Sequence, residues 1–203
     1  MNRLALTTAA VSLGMLTTAA FAAPVVDQEA PGFTGATSAG GAVSLDQFEG
    51  QTVVLEWTNH DCPFVKRHYE AGTMQATQAA AKDMGAVWIS VISSAPGKQG
   101  HVSPDVANAL TSSRAAAPDY VVIDESGDVG RAFAAKTTPH MFVIDGDGVL
   151  RYDGAIDDKP TANAEKADGA VNYVMAALTD LSGGGDVAEK RTKPYGCSVK
   201  YGS

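Results

Sequence analysis

Cysteine is scarce in this chain, which has 203 residues and only Cys62 and Cys197. Two cysteines cannot build a disulfide-dense small scaffold or a four-cysteine zinc site, although they suffice for one bridge. Basic side chains are also few, with 15 Lys and Arg against 23 Asp and Glu and a net charge of −8. That balance argues against a nucleic-acid backbone as partner, which calls for a basic face. Beyond residue 22 no apolar run approaches membrane-spanning length, and no internal repeat or second domain boundary is visible. At 45% hydrophobic and 19% charged residues, the chain has enough apolar material for one domain with a sizeable core.

The first 22 residues read as a targeting signal. A short basic start ending at Arg3 precedes an uncharged stretch rich in Ala, Leu and Thr, and Ala20-Phe21-Ala22 forms a small-x-small cleavage site. Cleavage there starts the mature chain at Ala23 and implies export, to the periplasm or by secretion, with no membrane span left. In such an oxidising compartment cysteine pairs persist as disulfides.

Along the rest of the chain, strand-like and helix-like periodicity alternate. Residues 31–50 suggest a short hairpin through Val43 and Leu45, and residues 52–58 (TVVLEWT) a central buried strand. Residues 63–84 read as one helix ended by Gly85, and residues 87–92 as a second buried strand. Ser103-Pro104-Asp105 has the form of a capped helix start running through Val106 and Leu110. A strand at 120–124, a short helix at 128–135, a hairpin of 141–145 with 149–152, and a last helix over 163–181 follow. The pattern predicts one α/β domain: a central mixed sheet with helices on both faces and an N-terminal hairpin extension. Residues 182–203 form a Gly-rich C-terminal tail that carries Cys197.

The chemistry concentrates at Asn59-His60-Asp61-Cys62-Pro63-Phe64-Val65, the junction of central strand and first long helix. Proline suits a first helical turn, so Cys62 falls at or beside the N-cap, facing unpaired N–H groups. That partial positive charge, with Lys66, Arg67 or a protonated His60 or His68, can stabilise a thiolate, while Asp61 pulls the other way. The alternative is an inert cysteine packed as a small hydrophobe. Glu56 interrupts the apolar run before Trp57; it is either a buried carboxylate that shuttles a proton for the thiol or a strand residue satisfied locally. His60, His68, His101 and His140 lack a closed ligand spacing, and the acidic turns at 124–128 and 145–148 lack the calcium-loop pattern. Neither metal nor any other cofactor is expected.

In order along the chain stand Ala30-Pro31-Gly32-Phe33, Val43-Ser44-Leu45, Phe48-Glu49-Gly50, Glu56-Trp57, Cys62-Pro63-Phe64-Val65 and Thr138-Pro139 before Met141-Phe142-Val143-Ile144-Asp145. This order resembles the thioredoxin fold, and within it the redoxin family: the alkyl hydroperoxide reductase and thiol-specific antioxidant superfamily, on its peroxiredoxin-like branch. The resemblance covers roughly residues 30–181. It implies a thiol-dependent oxidoreductase with Cys62 as nucleophile, no bound cofactor, and a thiol or disulfide protein as electron donor or acceptor. It also implies that Pro139 is the cis-proline beside the reactive cysteine, exposing the Thr138 backbone for pairing with an extended substrate; an ordinary trans proline opening a strand is the alternative.

The departures from family patterns shape the mechanism. Val65 stands where a Cys-x-x-Cys motif has its second thiol, so local disulfide formation is impossible. Asn59 stands where a peroxiredoxin has Thr or Ser; Thr58, with Arg114 or Arg131 from later in the chain, would have to substitute. The sequence around Cys197, Pro194-Tyr195-Gly196-Cys197-Ser198-Val199-Lys200-Tyr201, also resembles the tail of a subfamily of redoxin-like proteins. About 15 residues beyond Leu181 can span up to ~50 Å, so Cys197 can return to Cys62. It then serves as the resolving thiol, as a permanent staple for the tail, or for intermolecular pairing. Three functions follow: a thiol–disulfide oxidoreductase using Cys62 and Cys197, a peroxidase acting on small hydroperoxides, and a non-catalytic binding module with a structural disulfide.

Overall fold

The computed structural model describes residues 23–202; the signal-peptide reading falls on residues 1–22, outside the described residues. In chain order the elements are β1 (Thr34–Ala36), β2 (Ala42–Ser44), β3 (Val53–Trp57), α1 (Pro63–Glu70), α2 (Thr73–Asp83), β4 (Val87–Ile92) and α3 (Pro104–Ser113). There follow β5 (Tyr120–Ile123), α4 (Asp128–Ala132), β6 (Thr137–Thr138), β7 (His140–Ile144), β8 (Leu150–Gly154), α5 (Tyr173–Ser182) and β9 (Cys197–Ser198).

The main sheet has the order β5-β4-β3-β7-β8, parallel from β5 to β3 and antiparallel across β3-β7-β8. β3 is central and buried at every position, which is why its sequence is nearly continuous in apolar residues. Alternation along it sends Val53, Leu55 and Trp57 to one face, where Phe133, Val129 of α4 and Phe33 and Val43 of the N-terminal hairpin cover them. Val54 points to the other face and packs with Val65 and Tyr69 of α1, Met74 and Ala81 of α2, and Val174 and Leu178 of α5. The protein is therefore a mixed sheet with helices on both faces, and the β1-β2 hairpin docks on β5 through the Thr37–Val122 bridge. Among the described residues no helix is long and apolar enough to cross a membrane.

Two predicted helices change form. The segment over 63–84 is broken because Gly72 adopts φ +74°, a left-handed conformation that ends α1 and starts α2. The last helix begins at Tyr173 rather than 163: Gly169 has φ +66°, and Asn172 caps α5 by accepting from the Met175 N–H at 3.0 Å.

The tail is part of the fold. Thr192 bonds Tyr152 and accepts from the Ala155 N–H at 2.9 Å; Val199 N–H donates to Lys136, and Ala95 N–H to Lys200. Between these anchors β9 pairs antiparallel with β6, Thr137 opposite Ser198 and Thr138 opposite Cys197.

Candidate active site

Cys62 occupies the N-cap of α1, directly after the C-terminal end of β3, with Pro63 in the first turn. Asn59 shapes the approach: it is buried, its side chain accepts from the Asp61 N–H at 2.9 Å, and its carbonyl from the Cys62 N–H at 3.0 Å. The Cys62 side chain is 0% exposed. Its thiol donates to the Thr138 carbonyl at 3.0 Å. The Thr138–Pro139 bond is cis, and both residues are buried beneath the cysteine. Since Thr138 is also the β-partner of Cys197, one residue touches both halves of the cysteine pair. Both thiols are free.

The two thiols differ in acidity. Burial pushes the Cys62 thiol up, but hydrogen bonds to its sulfur from the Cys197 thiol, the Val65 N–H, the Thr138 side chain and the Cys197 backbone outweigh it, leaving the pKa below the ordinary thiol value. Cys197 moves the opposite way, to about 11, through burial first and then through the neighbouring Cys62.

The proline-glycine segment before Cys197 is positioned by a cluster that sequence reading missed. Arg67 and His68, adjacent on α1, are both buried, as is Asp157. Arg67 Nη2 donates to Asp157 Oδ2 at 2.6 Å and to the Tyr195 hydroxyl at 2.9 Å, while that hydroxyl donates to Asp157 Oδ1. His68 lies 3.1 Å from the same hydroxyl, and the Tyr195 ring packs near Phe64 at 5.8 Å. Burial, then the Arg67 charge, holds the His68 pKa at about 4, so the imidazole is neutral at neutral pH. In the sequence Arg67 and His68 stand out only as charges that could stabilise the thiolate, and the structure buries both. They bear on Tyr195 rather than on the thiol. Gly196 is required next to it, because a Cβ there would collide with the Thr138 carbonyl, and its φ is +131°.

The structure thus brings together Cys62, Cys197, Thr138 and Pro139 but leaves Glu56 elsewhere. The Glu56 carboxylate, also 0% exposed, accepts from Tyr69 at 3.0 and 3.1 Å, Trp88 Nε1 at 3.1 Å and Ser90 at 2.9 Å. These bonds tie β3 to β4 and α1, and among the described residues no hydrogen bond joins Glu56 to either cysteine. Thr58 and Arg114 line one small cavity with His60 and Tyr69, but Cys62 does not line it. Arg131 is held over the Tyr201 ring, 5.0 Å from its centroid.

Comparison with known proteins fits this geometry. An uncharacterized conserved protein from Geobacillus kaustophilus superposes with a TM-score of 0.76 at 24% identity, covering 88% of this chain and 93% of its own. A hypothetical protein from Sinorhizobium meliloti 1021 gives 0.73 at 19% identity over 90% and 97%. A putative thiol:disulfide interchange protein DsbE from Chlorobium tepidum gives 0.51 at 20% identity over 64% and 85%. At these identities the likeness is one of fold, and it is the thioredoxin-like fold. No curated protein matches significantly. The family model for Redoxin, however, matches residues 25–171, most of the described chain and every element from β1 to β8, and on that match the chain belongs to the thioredoxin-fold redoxin family.

Proposed function

We propose that the chain is an exported thiol–disulfide oxidoreductase in which Cys62 and Cys197 form a two-electron couple. The observation that carries this reading is the register of β9 on β6: the residue whose carbonyl accepts from the Cys62 thiol is the strand partner of Cys197. With Val65 in the fourth position of the motif, no other cysteine stands near Cys62.

The substrate half-reaction starts at the more acidic thiol. Cys62 thiolate attacks one sulfur of a partner disulfide; a new S–S bond forms, and the partner's other sulfur leaves as thiolate. Cys197 gives up its proton and attacks the Cys62 sulfur, closing the Cys62–Cys197 bridge and releasing the partner's second thiol. The partner gains two electrons, and a separate thiol protein must return two to the chain. Because β9 covers Cys62, the short stretch around Cys197 must lift from Thr138 before a protein disulfide can reach it. The Thr138 and Pro139 backbone then presents the edge on which an extended substrate segment would pair. Removal of residues 1–22 would deliver the enzyme to a compartment where such a couple has oxidised partners.

The test is mass mapping of mildly oxidised and reduced monomers under denaturing conditions, with the reduction potential of the couple. Linked Cys62 and Cys197 peptides from one chain are expected, with a potential above about −300 mV. Two free thiols, or dimers joined through Cys197, reject the reading; a bridge with a potential below about −300 mV makes it a structural staple. Rapid consumption of hydroperoxide without disulfide exchange would transfer the chain to the peroxidase class.

A further inference from the structure

We infer that the thiol protein that returns electrons to the oxidised chain attacks Cys197, not Cys62. The inference rests on the thiol–disulfide reading above and adds which sulfur of the couple meets the outside.

Three observations carry it. Cys62 has no exposed surface, whereas Cys197 is partly exposed. The Thr138 edge, along which an extended partner would reach Cys62, is already paired with Cys197 and Ser198. That strand is held on both sides: upstream by Tyr195 in the Arg67, His68 and Asp157 cluster, and downstream by Tyr201, whose hydroxyl donates to the Ala135 carbonyl at 2.8 Å. The tail therefore hides Cys62 and presents Cys197.

The chemistry agrees with the geometry. A partner thiolate forms a bond to the Cys197 sulfur, the Cys62–Cys197 bond breaks, and Cys62 leaves with the electron pair as thiolate. The Val65 N–H and the Thr138 side chain, which help to hold the Cys62 pKa down, favour that charge. The thiol of lower pKa is also the faster leaving group. Attack on Cys62 would instead expel Cys197, whose thiol is held up at about 11. The partner's second thiolate then attacks the partner sulfur of the mixed disulfide and releases Cys197. The partner departs as its own disulfide, two electrons have passed to the chain, and the partner's two protons end on Cys62, Cys197 or solvent.

Reduced glutathione serves as the probe, because a monothiol has no second thiol of its own to resolve the mixed disulfide, and an early acid quench traps the first adduct. Oxidised wild-type chain, its bridge first verified by mass, is mixed with glutathione and quenched in acid at successive times, and the peptides are mapped. At the earliest times glutathione is expected on Cys197 in about tenfold or greater excess over Cys62, with Cys62 a free thiol. Equal labelling, or glutathione chiefly on Cys62, overturns the inference while leaving the couple intact. Absence of any bridge before glutathione is added overturns the couple and the inference with it. The same mixing in denaturant checks the origin of the selectivity: its loss supports the folded tail as the cause, and its persistence overturns that cause.

Discussion

A thiol at a buried helix N-terminus is subject to two opposed effects, and at Cys62 the outcome depends on its neighbour across the strand. Desolvation disfavours the thiolate; donors from Cys197, Val65 and Thr138 favour it and prevail. Replacing Cys197 with Ala removes one side-chain donor but keeps much of the burial, so the Cys62 titration should move upward. Thiolate absorbance against pH, on the reduced wild type and on Cys197→Ala, checks this. The wild type should show one step below the ordinary thiol value and a second near 11. An unmoved Cys62 titration would assign its acidity to the remaining donors, the Val65 N–H at the helix end, the Thr138 side chain and the backbone at residue 197. Much of this site was legible in the sequence, because Cys62-Pro63 after an apolar strand is a local signature and Thr138-Pro139 before MFVID is another. Glu56 reads as buried, and its carboxylate bonds Tyr69, Trp88 and Ser90. Its partners Tyr69, Trp88 and Ser90 lie on other elements, and strand pairing, not spacing, brings them together.

At the scale of elements, β9 and its clamp depend on a few atoms. Gly196→Ala would place a methyl against the Thr138 carbonyl, so β9 should leave β6 while the main sheet persists. Alkylation of Cys62 in the folded, reduced protein should then rise by about tenfold or more, with far-ultraviolet dichroism unchanged. The clamp carries its own pH dependence through His68, which faces Arg67, Asp157 and Tyr195. Its folded pKa is about 4 against an ordinary 6.5, so between these values the unfolded chain binds a proton that the folded chain refuses. Stability is therefore full above pH 6.5 and falls as the pH drops toward 4, by up to about 3 kcal/mol through this residue. Urea midpoints of wild type and His68→Gln across this range isolate the effect, since other carboxylates contribute equally to both. The strands were legible from their apolar runs. The break at Gly72 is not legible, because helical spacing of Val65, Tyr69 and Ala76 continues across it although its backbone is left-handed. The clamp was not legible at all: Arg67 and Tyr195 are neighbours only through the return of the tail.

For the whole molecule, the tail adds a cover to a domain that is otherwise complete. Both large core clusters are built chiefly from residues before 180, with Val187 the one buried tail residue and Cys197 and Val199 packed at their margins. Deleting residues 194–203 keeps Val187 and the Thr192 contacts but removes Tyr195, β9 and Tyr201. The truncated chain should therefore keep its sheet and helices and unfold cooperatively. It should lose a few kcal/mol, because the Arg67–Asp157 pair loses the Tyr195 hydroxyl that bonds both of its members. Cys62 should gain exposure in the same chain and react with an uncharged alkylating reagent at neutral pH, where the full chain protects it. The two measurements separate cover from scaffold. Protected Cys62 in a folded truncation would mean that α1 and the Thr138 loop bury the thiol unaided, and the tail would lose its gating role. An unfolded truncation would mean that the tail is a load on the fold's stability as large as a core helix, contrary to the way the two clusters are composed.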